Sequence, residues 1–428
     1  MTLTIESLAA GGDGVGRLGG RVVFVEGAAP GDVLEVELCE ERERLAKARV
    51  VRRLSDSRAR VDPGCPHAAT CGGCHWLHVS PSAQAHAKEQ LFWDALERIG
   101  GLSRSSLEAR PLAASPSALR YRRRARLHLA SGRLGYRARS SHALVEPAEC
   151  RLLEPRLEAA LIRLQAALAR EGPVPRCTDI SIACDASRVA AAFHVDEVLP
   201  SSLSRAERVA RSAGLDGAAV APPSPEGGPV RTAGDVLLSE EAPFAAPARV
   251  YGRPDLFAQA NRGANAQLVA LALEGLALDG AGAKQVLELY CGAGNFTFGV
   301  ARRGAQMTAV ESSCEALDLA RRSAREASLG SIRFVLGEAL AVASALAREG
   351  RRFDALLLDP PRAGARGVGR AAAALGVERV VYVSCDSATL ARDARELSAA
   401  GFRATWGAPV DMFPQTCHVE GVLVLERA

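Results

Sequence analysis

The feature that most constrains this chain is an alternation that begins near residue 262. Short apolar runs at Val286–Leu289, Met307–Val310, Ile332–Leu336, Ala355–Leu358 and Val380–Val383 are separated by stretches with helical patterning. A strand covered on both faces reads as a continuous apolar run, and a helical crossover is what joins parallel strands. The pattern predicts a doubly wound parallel sheet, whose ligands sit at the carboxyl ends of its strands.

The residues at those ends carry chemistry. The first run leads into Tyr290-Cys291-Gly292-Ala293-Gly294-Asn295-Phe296, where small residues let the backbone approach a ligand at the start of a helix. The second ends at Glu311, about twenty residues on, where a carboxylate can accept both hydroxyls of a ribose. The third leads to Glu338, and the fourth ends in Asp359-Pro360-Pro361-Arg362. Taken as surface acids, Glu311 and Glu338 would leave only a nucleotide-binding open sheet. The glycine turn lacks the third glycine of a dinucleotide site, and the set together favours S-adenosylmethionine over a nicotinamide cofactor.

The fifth run ends in Ser384-Cys385-Asp386, with Ala388-Thr389-Leu390-Ala391-Arg392-Asp393 behind it. A buried cysteine is usually a small hydrophobe, but this one has polar neighbours and precedes a helix, whose start helps hold a thiolate. Near the C-terminus, Asp411-Met412-Phe413-Pro414-Gln415-Thr416-Cys417-His418-Val419-Glu420 leads into an apolar strand, Gly421–Leu425. A thiolate and a carboxylate suit methylation of carbon 5 of uracil, which is too weak a nucleophile to attack a methyl sulfonium unaided. Addition of sulfur to carbon 6 makes an enolate, and a base then removes the carbon 5 proton. Glu420 is the preferred base and His418 its rival, which can equally be a packed or hydrogen-bonding residue.

Upstream lie two further zones. Residues 1–58 hold strand-like runs at Leu3–Ser7, Arg21–Val25, Asp32–Leu38 and Ala46–Val51, with turns at Gly11-Gly12-Asp13-Gly14 and Gly19-Gly20. They predict a small antiparallel barrel with one wet face. Residues 59–261 are less regular, with helices expected over Ser82–Ile99 and Pro155–Arg170 and a loop or hairpin tip over 216–234. Between Arg120 and Arg139 stand eight arginines and no acidic residue, interleaved with Tyr121, His128 and Tyr136. A one-sign cluster with aromatics is what phosphate and base contact needs, so RNA contact is expected there, against a plain solvated basic face.

The same zone holds Cys65, Cys71 and Cys74, with Cys150 available as a fourth ligand. Four thiolates suit zinc or a [4Fe–4S] cluster, and spacing does not choose between them. Cys71-Gly-Gly-Cys74-His75 matches the c-type haem attachment pattern, but the chain does not begin like an exported protein. A radical enzyme spaces its cysteines by three and then two, and a redox dithiol would leave Cys65 and Cys150 unexplained. The remaining cysteines, at 39, 177, 184, 291 and 314, read as structural.

Residues Ser384–Asp393 and Phe413-Pro414-x-Thr416-x-His418-x-Glu420, with Phe257-x-Gln259-x-Asn261 and Asp359-Pro360-Pro361-Arg362, closely resemble the RNA uracil-5-methyltransferase family. The glycine-rich first turn and the Val22–Gly31 segment resemble a TRAM domain. The resemblance covers nearly the whole chain. It implies Cys385 as nucleophile, Glu420 as the proton-abstracting base, and S-adenosylmethionine contacts from Gln259, Tyr290, Asn295, Glu311, Glu338 and Asp359. It also implies a [4Fe–4S] cluster on Cys65, Cys71, Cys74 and Cys150, as in the members that act on 23S rRNA. Tyr290 stands where phenylalanine is common, and Cys417 and Gly421 are less usual choices.

The resulting expectation is a multidomain α/β protein. It comprises an OB-like TRAM barrel over 1–58, an α+β iron–sulfur RNA-binding domain over 59–261 and a Rossmann-like methyltransferase domain over 262–428. The expected reaction is carbon-5 methylation of a uridine in 23S rRNA, with a tRNA T-loop uridine as the rival target. Amino-nitrogen methylation would place an aromatic where Arg362 stands and would leave Cys385 without a task. A cytosine carbon-5 enzyme would carry its nucleophile in a Pro-Cys setting, which is not found. A non-catalytic RNA-binding iron–sulfur protein would need neither Cys385 nor Glu420. With 428 residues, 48% of them hydrophobic, and a net charge of +4, there is enough apolar material for several cores and no bilayer-length apolar run. A cytoplasmic monomer without membrane contact is the simplest expectation.

Overall fold

The structure, a computed structural model, describes residues 1–222, 229–279 and 284–428. Its first five strands, β1 (Thr2–Leu8), β2 (Gly14–Leu18), β3 (Arg21–Val25), β4 (Val33–Glu41) and β5 (Leu45–Ser55), close into a barrel in the order β1-β2-β3-β5-β4. Alternation turns Leu3, Ile5, Val23, Val25, Leu34 and Val36 into its core. The second strand, not anticipated from the sequence, lies between the two expected glycine turns at 11–14 and 19–20. Its glycines are required by close approach: a Cβ on Gly16 would stand 2.4 Å from the Thr4 carbonyl oxygen. Asp32, fully buried, ties the barrel to the chain that leaves it, accepting from the amides of Ala29 (2.7 Å) and Ser57 (3.0 Å) and from Arg60 (2.7 Å).

The chain then forms α1 (Pro81–Arg98) and a short strand β6 (Glu108–Ala109) before entering a second sheet. Its strands are β7 (Arg124–Ala130), β8 (Arg133–Arg137), β9 (Leu144–Val145), β10 (Cys177–Cys184), β11 (Val189–Val195), β12 (Gly217–Ala221) and β13 (Arg231–Gly234). They are ordered β13-β12-β11-β10-β7-β8-β9. Helices α2 (Pro155–Glu171) and α3 (Ser202–Ser212) contribute to its core. Leu157, Leu161, Leu164 and Leu168 recur at helical spacing and meet Ile180, Ile182 and Phe193 of the sheet. The hairpin expected over 216–234 is the antiparallel pair β12–β13; its tip, 223–228, lies outside the described residues. A small hairpin, β14 (Leu238–Glu241) and β15 (Arg249–Gly252), follows.

The C-terminal part is the expected alternation. It runs α4 (Arg262–Leu276), β16 (Gln285–Leu289), α5 (Thr297–Arg302), β17 (Gln306–Glu311), α6 (Cys314–Glu326), β18 (Ile332–Leu336), α7 (Ala339–Arg348) and β19 (Ala355–Leu358). It continues through α8 (Val368–Ala374), β20 (Arg379–Ser384), α9 (Ser387–Ala399), β21 (Phe402–Val410) and β22 (Glu420–Arg427). The sheet order is β18-β17-β16-β19-β20-β22-β21-β6, parallel through β20, with β22 inserted antiparallel to β20 and β21.

This sheet takes two elements from the 59–261 zone, both in the stretch near 80–110 whose boundary the family resemblance leaves loose. β6 is its outer strand, and α1 packs across it, with Phe92, Trp93 and Leu96 in one core with Leu390, Tyr382 and Leu423. The 59–261 zone is therefore divided by packing: the stretch from α1 to β6 sits on the C-terminal sheet, and the second sheet begins at β7. No described helix is long and apolar enough to cross a membrane.

The α1 contact explains Gly421. A Cβ there would lie 2.1 Å from the Phe92 ring. Gly421→Ala should destabilise the C-terminal unit by about 1–3 kcal/mol, as overpacking does, with a lower urea midpoint as the readout. A paired Phe92→Leu change should recover part of that loss.

Candidate active site

Two strands bring Cys385 and Glu420 together. In the antiparallel pair β20–β22, Ser384 faces Gly421. The next opposed pair along the ladder is therefore Cys385 and Glu420, although the two lie far apart in sequence. On its other side Glu420 faces Val410 of β21. Asp386 caps α9, its Oδ1 accepting from the Thr389 amide at 2.9 Å, so Cys385 sits immediately before a helix start.

The electrostatics of this pair are set by burial. Glu420 is 4% exposed, its Oε2 has no hydrogen-bond partner, and burial with help from Asp359 pushes its carboxyl up to about 8. Burial, then Glu420 and Asp359, raises the Cys385 thiol to about 11, with Arg362 pulling the other way. His418 is held down to about 4 by burial and by Arg362, His75 and other cations. Its ring stands edge-on to His75 and Phe413, with centroids at 5.9 and 6.2 Å.

The loop that carries Arg362 is fixed by the residues after Cys385. Asp393 Oδ2 accepts from the Ala365 amide and the Tyr382 hydroxyl, both at 2.6 Å. Arg392 bonds Asp393 Oδ1 and the Ala363 carbonyl, both at 2.8 Å. The Arg392-Asp393 end of the motif is thus structural.

The cofactor candidates gather at the neighbouring strand ends. Tyr290 adopts a left-handed φ of +65° at the end of β16, unusual for a bulky residue and a mark of a constrained turn. Gly292 and Gly294 follow at φ +55° and +95°. A Cβ on Gly292 would meet open space, so the turn leaves room for a ligand, whereas one on Gly294 would strike Phe298 at 2.4 Å. Glu311 accepts from the Gly292 amide (2.9 Å) and from the Ser312 and Ser313 amides (2.8 Å each), binding the turn to the end of β17. Burial holds Asp359 up to about 7. Gln259 is buried with Oε1 unpartnered. Asn295 exchanges two amide hydrogen bonds with Asn265, at 2.8 and 2.9 Å. Glu338 is exposed at the start of α7.

These groups fit S-adenosylmethionine: carboxylates at two strand ends, an unfilled amide oxygen, and space over a glycine. Sequence reasoning missed Glu288, a 1% exposed acid in the middle of central strand β16 that burial raises to about 8, close to Asp359 and Glu311. Its signal was available as an acid inside the apolar run Val286–Leu289. Asn265 was also missed, since nothing in a helical pattern announces a partner for Asn295.

The loop between β21 and β22 is held mainly by other parts of the chain. Asn261 donates to the Met412 carbonyl (3.1 Å), Lys88 to Phe413 (2.9 Å), Tyr121 to Pro414 (2.9 Å) and the Trp76 amide to Gln415 (3.0 Å). Lys88, fully buried on α1, also pairs with Asp411 at 2.5 Å. Gln84 accepts from the Gln415 amide at 3.0 Å and so supports a residue at φ +69°.

The first arginines of the segment are half-buried and engaged within the chain, whereas Arg126, Arg133 and Arg137 are exposed. Arg123 donates to the Gln259 carbonyl (2.8 Å), and Arg124 to those of Pro254 (3.3 Å), Ala258 (3.4 Å) and Leu256, so together they hold the loop that presents Gln259. Arg120 pairs with Glu158, and Arg139 holds the Cys71 and Cys74 carbonyls at 3.2 and 2.6 Å. Arg126, Arg137 and Arg139, with His75, His128 and Tyr136, line a cleft of ≈ 350 Å³ between the barrel and the cysteine loop. Half-buried positions at the start of the segment build the fold, and its later residues reach the cleft.

Cys65, Cys71, Cys74 and Cys150 line one cavity, and none is in a disulfide. Burial pushes Cys74 up to about 12, with Cys150, Cys71 and Cys65 adding to the rise. Among the described residues no three His, Cys, Asp or Glu side chains are gathered as ligands of one metal ion. Four cysteines lining one cavity are the donor set that a thiolate-held group would need.

The fold and its strand-end acids define an S-adenosylmethionine-dependent methyltransferase sheet with an added cysteine–glutamate pair. Residues 249–428 match the tRNA (Uracil-5-)-methyltransferase family model, and residues 1–51 match the TRAM domain. The chain is 35% identical to the 23S rRNA (uracil(1939)-C(5))-methyltransferase RlmD of Pectobacterium atrosepticum, over 99% of this chain and 92% of that protein. It is 32% identical to the protein of the same name from Vibrio cholerae, over 99% and 95% of the two chains. It also superposes on the Pyrococcus abyssi tRNA (uracil-54, C5)-methyltransferase, solved with S-adenosyl-L-homocysteine, with a TM-score of 0.75 at 24% identity over 99% of both. The chain belongs to the RNA uracil-5-methyltransferase family.

The clamp on the 411–419 loop can be tested directly. Lys88→Met leaves Asp411 without its buried partner, and breaking such a pair costs about 3–5 kcal/mol. The denaturant midpoint of the C-terminal unit should fall accordingly. An unchanged midpoint would show that the loop does not depend on α1.

Proposed function

We propose that the protein methylates carbon 5 of a uridine in 23S rRNA, with Cys385 as nucleophile and Glu420 as base. The observation that carries this reading is the placing of Cys385 and Glu420 next to one another, just past the Ser384–Gly421 pair where two adjacent strands end, close enough for Glu420 to act on the Cys385 thiol. Cys385, held up to about 11 and so a thiol at rest, gives its proton to solvent, with the Arg362 cation offsetting part of the cost. The resulting thiolate adds to carbon 6 of the uracil ring and forms a carbon–sulfur bond. The ring's π electrons move toward O4 as an enolate, which makes carbon 5 nucleophilic. S-adenosylmethionine, when bound, supplies the electrophilic methyl group. Glu420 then takes the proton from carbon 5, and the electron pair left behind expels the Cys385 thiolate and restores the ring. A carboxylate whose proton affinity is set near 8 is a better acceptor than an imidazole held down to about 4, which favours Glu420 over His418.

Gln259, Tyr290, Asn295, Glu311, Glu338 and Asp359 are the proposed cofactor contacts. Glu311 would receive the ribose hydroxyls and Tyr290 would cover the adenosine. Glu338, exposed in the structure, is the least constrained of the six. The four cysteines are proposed to hold a [4Fe–4S] cluster, which would brace the Cys71–Trp76 loop against Gln415. 23S rRNA is favoured as target by the relatives that match over the whole chain. The cleft with Arg126 and Arg137 is the proposed RNA surface.

RNA containing 5-fluorouridine lacks the proton that Glu420 must remove, so wild-type protein with S-adenosylmethionine should form a denaturation-resistant adduct. Cys385→Ala should form none, and an adduct in that variant would overturn the nucleophile. Methyl transfer to separated 23S rRNA and tRNA from a strain lacking this gene tests the target, since 5-methyluridine in tRNA alone would overturn it.

The pH profile tests the base. Glu420 accepts a proton only when ionised, so kcat/KM should rise as pH climbs through about 8. Glu420→Gln should lower turnover by at least about 100-fold, the scale of a lost general base, while still forming the adduct with carbon 6.

A further inference from the structure

The cavity lined by the four cysteines has a cation in its wall, Arg122. Its neighbours Arg120, Arg123 and Arg126 each reach a carboxylate. Among the described residues Arg122 reaches none, and its side-chain hydrogen bond is a long one, 3.4 Å from Nε to the Tyr121 hydroxyl. Its guanidinium lies 5.9 Å from the centre of the Tyr121 ring and 5.6 Å from that of Phe413.

The other charged groups around the cavity are already engaged. Arg139 is committed to the Cys71 and Cys74 carbonyls and Arg151 to that of Gly64 at 3.0 Å. Glu149, the carboxylate in the lining, is drawn to Arg120 at 3.7 Å. A partly enclosed guanidinium without an anion is costly, and side chains alone leave that cost standing. A cluster held by four thiolates carries net negative charge, and more of it when reduced.

We infer that Arg122 is the counter-ion of an anionic four-thiolate iron–sulfur group in this cavity, a positioning residue that raises the reduction potential of that group. The inference rests on the cluster reading proposed above. A fixed positive charge stabilises the more negative, reduced state, so removing it favours the oxidised one. Through its contact with Phe413 the same side chain joins the cysteine cavity to the 411–419 loop, so the charge of the cluster bears on a residue two positions from Asp411.

The test uses the full chain purified without oxygen, with iron and sulfide assayed and the cluster titrated potentiometrically under electron paramagnetic resonance. Arg122→Gln should shift the oxidised-to-reduced ratio at a fixed potential by about tenfold or more, ~59 mV downward for a one-electron couple. Arg122→Lys, which keeps the charge, should stay near the wild-type potential. Equal potentials in wild type and Arg122→Gln, with four irons in each, would overturn the role of Arg122 and leave the cluster standing. Wild-type protein that holds zinc or no metal would overturn the cluster reading and this inference with it. If Arg122→Gln loses its iron while Arg122→Lys retains it, the charge requirement is supported. Loss from both variants would show that charge is not what the cavity needs.

Discussion

The structure depends on a buried ion pair between Lys88 of α1 and Asp411 at the start of the last loop. Lys88 is fully enclosed, and its ammonium also caps the Phe413 carbonyl. A lysine so placed is favourable only while both partners are present, because water is not available to replace either. The pair therefore works as a register lock. It fixes where the 411–419 loop leaves β21, and β22 can then enter between β20 and β21 with Glu420 opposite Cys385. Tyr121, Trp76 and Asn261 extend the lock along successive carbonyls, each from a different part of the chain.

That arrangement explains why so much of the molecule lies outside the methyltransferase sheet. A doubly wound sheet positions strand ends well, but a loop between two antiparallel strands has few partners within it. Here the partners come from α1, from the loop after Cys74, from Tyr121 just before β7 and from Asn261 at the start of α4. The arginine-rich edge serves the other wall of the site, since Arg123 and Arg124 hold the backbone on either side of Phe257. The wall carrying Gln259 and the wall carrying Glu420 are thus both hung from the same short segment, Tyr121–Arg124.

Much of this was legible in the sequence, and the failures have physical causes. The five parallel strands were plain because double-sided burial leaves uninterrupted apolar runs. β21 was not, because Phe402–Val410 mixes Arg403, Thr405 and Gly407 into its length, and Gly407 is small where the Trp93 ring approaches within 3.1 Å of a would-be Cβ. β2 was hidden by glycines that serve packing rather than turning. The site residues at strand ends could be named because topology fixes where strand ends meet. The roles of the arginines could not be read, since a one-sign run looks the same whether it faces phosphate or its own chain's carbonyls. Asn265 and Glu288 escaped for the same reason: their significance lies in partners that only the fold supplies.

The acids of the site also constrain one another. Asp359, Glu288 and Glu420 are all pushed upward by burial, and Asp359 contributes to the rise of the other two. Three such groups cannot all ionise cheaply in one enclosed region. A cationic occupant changes that balance, because positive charge nearby stabilises the ionised carboxylates. The sulfonium and ammonium of S-adenosylmethionine are such an occupant, so the resting site is poised to bind a cation and to release protons when it does. On the proposed roles, Glu420 becomes a competent proton acceptor most readily when the methyl donor is in place, which couples the basicity of the site to its loading.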